Sequence, residues 1–211
     1  MRIAPALLAV LAVVVAGAMA VGYKTAPKVA GPDPIRLEEG VPVAVVDTPV
    51  GALAAAENYM GSEDDALLSR AEIRRVVEAE WTPAAREVEL AQPFPAAALA
   101  GKPTTFPGLE LVAAVAGAEL DSYTPETAQA VVWHEITLWS PSVPPTQRWS
   151  LDTLTLVWDS GRWLVASRTA APDPETPVPA WTSGTADDST RQAFNTRLAG
   201  MSAPYYTGVA P

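Results

Sequence analysis

The sequence predicts an α+β protein: an N-terminal transmembrane helix, then two or three helices packed on a curved four-stranded antiparallel sheet. Three observations predict it. Residues Ile3 to Val21 form an unbroken apolar run. Helix-start signals and a period near 3.6 fill the stretch from Thr48 to Leu90. After Gly108 the apolar period changes to 2, with turn residues between the runs.

The apolar run comes first. Its nineteen residues, IAPALLAVLAVVVAGAMAV, approach the roughly 20 needed to cross a bilayer core. Arg2 precedes it and Lys24 and Lys28 follow, so charge asymmetry is weak. No polar face exists on the segment, which argues against a buried soluble helix. An uncleaved anchor fits the length of the run. A cleavable signal peptide fits Ala18-Met19-Ala20, with secretion after cleavage near Ala20. Both readings put residues 22–211 outside the cytoplasm, and the anchor gives a single-pass cell-membrane protein.

The organisation that follows is residues 1–22 as membrane anchor or signal peptide and 23–47 as a proline-containing stalk. Residues 48–170 then form an extracytoplasmic α+β domain, and 171–211 a proline-rich tail with a short helix. Pro27, Pro32 and Pro34 stiffen the stalk. Val41 to Val46 is a lead-in strand or a segment packed on the domain. Thr48 caps a first helix with Pro49 at its first position, and Gly61 offers a stop. Ser69 with Glu72 has the capping-box spacing, and Leu68 with Ile73 the hydrophobic-staple spacing. Ile73, Val76, Val77 and Trp81 make one stripe of this second helix. Thr82-Pro83 starts a third, through about Leu90. Pro93 to Gly108 reads as loop. Leu109–Leu120, Ala128–Trp139, Trp149–Trp158 and Trp163–Ser167 read as strands, the last two joined in a hairpin at Asp159-Ser160-Gly161. Short connections imply an antiparallel meander. Neither central strand has a purely polar face, so helices would cover one side and the other could meet a partner. Pro172, Pro174, Pro177 and Pro179 close the domain. Asp187 or Asp188 starts a final helix through Leu198.

Composition narrows the function. The chain has 211 residues, 49% apolar and 18% charged, which suits one globular domain with tails. Its formal net charge is −10, and Arg70, Arg74 and Arg75 share a helix with Glu72, Glu78 and Glu80, so nothing favours nucleic acid. It has no cysteine and one histidine, which rules out disulfides, thiolate sites and multi-histidine metal sites. No cofactor fingerprint, phosphate loop or nucleophile elbow occurs.

His134 is the one side chain that titrates near neutrality unaided. It sits mid-strand with Val132, Ile136 and Leu138, opposite a face bearing Trp133, Glu135, Thr137 and Trp139. Asp152 in the next strand is its natural carboxylate partner if the register allows. The two are the candidate ligand-binding pair, and a core histidine bonded to a neighbour is the structural reading. Glu63, Asp64 and Asp65 lack the spacing of a calcium loop and read as a solvated run. Five of seven tryptophans lie between Trp133 and Trp163. Most belong to the core, whereas Trp139 or Trp149, near strand ends, would face a partner.

Helices followed by a meander, together with several short stretches, carry a resemblance. The stretches are Val41-Pro42-Val43 leading to Thr48-Pro49-Val50-Gly51-Ala52, Glu57-Asn58-Tyr59, Phe106-Pro107-Gly108-Leu109 and Asp121-Ser122-Tyr123-Thr124-Pro125. They also include Val132-Trp133 and Trp149 to Trp158 followed by Gly161-Arg162-Trp163. Over roughly residues 1–180 the chain resembles the nuclear-transport-factor-two-like, or cystatin-like, superfamily. It is similar to actinobacterial single-pass proteins whose outer domain resembles the bitopic scaffold subunit of conjugation and type IV secretion machines. Mycobacterial-type membrane proteins associated with lipid importers share the plan. The resemblance implies a cone-shaped domain and a non-catalytic assembly role, with other envelope or conjugation proteins, or further copies of the chain, as partners. Ketosteroid-isomerase relatives in the same superfamily imply the alternative, an apolar-ligand carrier or an isomerase- or cyclase-like enzyme with His134 and Asp152 at its mouth.

Overall fold

Two tight turns in left-handed backbone set the ends of this fold. Glu39 (φ 52°) and Gly40 (φ 82°) close the first hairpin, and Ser160 (φ 52°) and Gly161 (φ 80°) close the last. Positive φ at both central residues is the turn geometry whose twist matches paired strands. The computed structural model describes residues 34–66, 69–91, 110–140, 143–172 and 188–201, all within one compact unit, residues 32–211.

The first hairpin pairs β1 (Ile35–Glu38) with β2 (Val41–Ala44). Sequence placed these residues in the stalk. They form part of the domain because Ile35, Val43 and Ala44 are buried while the polar residues between them point outward. Arg162 reaches Glu38 at 2.8 Å and fastens the hairpin to the sheet.

Helix α1 (Pro49–Ala66) begins where Thr48 accepts from Gly51 N–H at 3.0 Å. Ala52, Ala54, Ala55 and Ala56 are all buried, and small side chains let this helix lie close on the sheet. Gly61 does not stop it. The following turn is needed inside, since Glu63 is buried and Ser62 bonds the Asn58 carbonyl at 2.8 Å. Helix α2 (Arg70–Glu80) is capped by Ser69, which accepts from Glu72 N–H at 3.3 Å. Glu72 turns to Arg75 rather than completing the box. Leu68 lies outside the described residues. Helix α3 (Pro83–Ala91) follows a corner at which Trp81 bridges Val165 and Thr82 N–H donates to the Val165 carbonyl at 2.9 Å.

The four-stranded sheet is an antiparallel meander in the order β3 (Glu110–Tyr123), β4 (Thr127–Ser140), β5 (Val143–Asp159), β6 (Arg162–Pro172). Each strand extends beyond the apolar core that announces it. Pro144 and Pro145 enter β5 where the register jumps from Leu138↔Thr146 to Ser140↔Val143, so neither proline has a ladder partner. Ala128, Ala130, Val132, Leu154, Leu156, Trp163 and Val165 meet α1 and Trp81 in the main core.

The opposite face is not left open. Helix α4 (Asp188–Leu198) ends there, with the Arg197 guanidinium 5.8 Å from the centroid of the buried Trp133 ring. Gly117 makes room, because a Cβ on it would lie 3.0 Å from Met201 Cβ and 3.3 Å from Leu198 Cδ2. The tail therefore covers part of the face that sequence assigned to a partner.

Among the described residues no helix is long and apolar enough to cross a membrane. The expected anchor, residues 3–21, lies outside them.

Candidate functional site

Strand pairing brings the chemistry together under the helices. His134 lies opposite Ser150, and Val132 opposite Asp152, so His134 and Asp152 are diagonal neighbours on the helix-covered face. His134 Nε2 is 3.3 Å from Asp152 Oδ1 and 2.8 Å from Ser150 Oγ. The expected pairing is present.

Arg168 extends it. Its Nε donates to Asp152 Oδ2 at 2.6 Å and its Nη1 to Glu63 Oε2 at 2.6 Å. Trp81 Nε1–H donates to Glu63 Oε1. A continuous chain thus runs from Ser150 and His134 through Asp152 and Arg168 to Glu63 on α1 and Trp81 after α2. His134 is 1% exposed and Asp152 0%, so the chain is sealed at the sheet.

Arg168 reaches this face because of a bulge. From Asp159↔Arg162 to Leu156↔Val165 the pairing is regular, and then Thr155 pairs with Ser167, which leaves Ala166 extra. Without that extra residue Arg168 would oppose Thr153 and point to the other side. Sequence reasoning found His134 and Asp152 and missed Arg168, Glu63, Ser150 and Trp81. The acidic run holds a buried ion-pair partner at Glu63, against the solvated reading.

The electrostatics follow from burial and charge. Desolvation pushes the Asp152 carboxyl up, but the hydrogen bond from His134 and the Arg168 charge outweigh it and hold the group below the ordinary carboxylate range. Glu80, fully buried at the end of α2, goes the other way. Burial raises it well above the usual range, the neighbouring Glu63 adds to this, and the Ser62 hydroxyl opposes it.

The Glu80 shift makes a testable prediction. A raised carboxyl keeps its proton in the folded state while the unfolded chain releases it. It therefore removes stability as pH rises above about 4.5, by about 1.4 kcal/mol per pH unit until the folded group ionises. Glu80→Gln is expected to abolish that slope and to match wild type near pH 4. Urea unfolding from pH 4 to 8 measures it, and parallel curves for the two proteins would contradict it.

Chemically the arrangement is a clasp rather than a proton relay. In a Ser-His-Asp relay the hydroxyl and the carboxylate bond opposite ring nitrogens. Here both meet Nε2. Among the described residues no group of three or more acidic or histidine side chains is arranged to hold a metal ion.

The candidate partner tryptophans separate. Trp149 is half-buried, its ring 4.6 Å from Trp133 at 34° on the face that α4 meets. Trp139 lies in β4, and its side chain is outside the described ones. Trp133 and Trp163 are fully buried.

Comparison with known proteins gives a family. Residues 14–186 match the model of a family described as domain of unknown function (DUF8175). No curated protein matches the chain. Among solved structures it is similar to the intermembrane space region of chloroplast protein ARC6, at 11% identity and a TM-score of 0.37. That likeness covers 57% of this chain and 97% of that one, and a score so low carries no argument. With the match spanning most of its 211 residues, the chain belongs to the DUF8175 domain family.

Proposed function

We propose that this protein is a non-catalytic, membrane-anchored assembly module. Residues 3–21 hold it in the cell membrane, and a domain of the nuclear-transport-factor-two-like cone type works on the outer side. There it binds other proteins of an envelope-spanning machine of the conjugation or secretion kind. The observation that supports this best is the closure of the His134–Asp152 pair. An imidazole 1% exposed, with hydroxyl and carboxylate on the same nitrogen and the carboxylate held by Arg168, is built to carry load between helices and sheet. A ligand-carrying or isomerase-like role would need those groups open to a cavity.

Photo-crosslinking in membranes, combined with a reporter fused after Pro211, tests the reading. The reporter is expected to be active only outside the cytoplasm. Crosslinking is expected to capture envelope proteins to the same extent in wild type and in Ser150→Ala, which loosens His134 without removing a charge. A reporter active only in the cytosol overturns the proposal. So does a small apolar ligand whose binding Ser150→Ala abolishes in a fully folded protein.

A further inference from the structure

The corner that joins α2 to α3 holds a group that the clasp does not use. Glu80 ends α2, is 0% exposed, and has no hydrogen-bond partner on either carboxyl oxygen. The donors around it are committed elsewhere. On α1, Tyr59 O–H donates to the Trp163 carbonyl and the Ser62 hydroxyl gives its hydrogen to the Asn58 carbonyl at 2.8 Å. Trp81 Nε1–H and Arg168 Nη1 both donate to Glu63, the acid of α1 that faces Glu80. From α3, Arg86 Nε donates to the Trp81 carbonyl at 2.8 Å, and Glu89 faces Arg168 and Asp152. Strand β2, which meets α2 through Val41 and Val76, carries no titratable side chain. The last turn of α2 has no basic residue, and its free carbonyls disfavour a carboxylate. A protonated Glu80 can stay inside such a site, whereas an ionised one needs water.

We propose that Glu80 is a proton-operated latch: protonated, it lets the corner of Trp81, Thr82 and α3 close on α1 and the edge of β6, and ionised, it drives that corner into water while the sheet stays folded. The corner can part on its own. Trp81 leaves α2 in extended backbone (φ −107°, ψ 151°), and the backbone attachment to the sheet is confined to Val165, through the Trp81 bridge and the Thr82 N–H at 2.9 Å. Within α3 only Ala85 is buried. Arg86, Glu89 and Leu90 are half-buried, and Pro83, Ala84, Glu87, Val88 and Ala91 are exposed. An element that buries so little opens at lower cost than a sheet centred on Leu154, Leu156 and Trp163, all fully buried. Opening separates Glu80 from Glu63, gives it water and bares the β6 edge at Val165. The direction with pH is fixed by linkage. The closed corner keeps the Glu80 proton and the open one releases it, so opening gains with pH above about 4.5, by up to roughly tenfold per unit until the closed form ionises. The latch is shut in acid and loosens toward neutrality, whatever the domain binds.

The absence of cysteine from the chain makes the test clean. Single thiols are placed in the full chain in detergent: Ala85→Cys in the buried side of α3, Val115→Cys in the core of β3, and Ala84→Cys at an exposed position of α3. Each is labelled with methyl methanethiosulfonate between pH 5 and pH 8, and every rate is divided by that of Ala84→Cys at the same pH, which cancels the thiolate fraction. The relative rate at Ala85→Cys is expected to rise roughly tenfold or more over this range, with Val115→Cys unchanged. Adding Glu80→Gln, which keeps the shape and removes the charge, is expected to abolish the rise, and adding Glu89→Gln to leave it in place. A flat profile at Ala85→Cys overturns the latch, and so does a rise that survives Glu80→Gln. An equal rise at Val115→Cys overturns it as well, since the whole domain would then be opening, and loss of the rise in Glu89→Gln alone would take the role from Glu80.

Discussion

Arg168→Met is expected to destabilise the domain by about 3–5 kcal/mol at neutral pH, the largest single effect in the molecule. Arg168 bonds Asp152 and Glu63 at 2.6 Å each, and those carboxylates are 0% and 4% exposed. Removing the cation leaves two acids out of water beside each other, and methionine refills the space without replacing the charge. The penalty has a defined pH dependence. The Asp152 carboxyl is held below its unfolded value, so it contributes stability that is present above about pH 4 and lost as pH falls through the folded value. As pH falls, the buried Asp152 that Arg168→Met leaves without its cation can take up a proton and so relieve the penalty, and the difference between wild type and Arg168→Met is expected to shrink. Urea midpoints at pH 4 and pH 7 check both parts. An equal loss at both values would mean that packing of the arginine stem, and not its charge, does the holding.

Gly51→Ala is the second large effect, at about 2–4 kcal/mol. A Cβ at Gly51 would sit 1.9 Å from the Val46 carbonyl oxygen and 2.9 Å from its carbon. That oxygen cannot simply retreat, because it accepts from Trp163 Nε1–H at 3.1 Å and from Thr48 N–H at 3.0 Å. Moving it loosens both a fully buried tryptophan and the cap of α1. Gly61→Ala in the same helix is the control. Nothing lies within 4 Å of its Cβ, and the substitution is expected to stabilise by about 0.5–1 kcal/mol. Opposite signs for one substitution at two positions of one helix separate a backbone clash from helix propensity. Similar effects at the two sites would contradict the account.

Much of this fold is legible in the residues. Thr48-Pro49, Ser69 and Thr82-Pro83 each open a helix where expected, because N-terminal capping is a local interaction. The turn at Ser160-Gly161 sits where its glycine announces it. The strands run longer than their apolar cores, since ladder pairing continues through polar residues such as Ser122, Gln147, Arg168 and Thr169. The β1–β2 hairpin is only half legible: Pro34 reads as stalk although it just precedes β1, whereas Pro42, in the expected lead-in segment, stands on a two-stranded edge that tolerates it.

The site divides along the same line. His134 and Asp152 are two strands' worth of alternation read correctly, and their pairing needs only regular β4–β5 register through that region. Arg168 could not be read, because one unpaired residue at Ala166 decides which face it takes and nothing in Val165-Ala166-Ser167 marks a bulge. Glu63 could not be read either. Its burial depends on a helix continuing past Gly61 and on a cation more than a hundred positions away. The role of α4 was masked by its composition, since a mostly polar helix gives no signal that its last turn meets tryptophan.

The measurement that bears most directly on the account is a double-mutant cycle by urea unfolding at pH 7, with Arg168→Met, Asp152→Leu and the two together. If the sealed charges exist to join helices to sheet, each single change costs stability and the pair shows a coupling of about 1–3 kcal/mol, the double variant recovering part of the loss. Single changes that leave the unfolding free energy within about 0.5 kcal/mol of wild type, with no coupling, would mean that these groups are kept for a task other than holding the domain together, and the clasp would have to be abandoned.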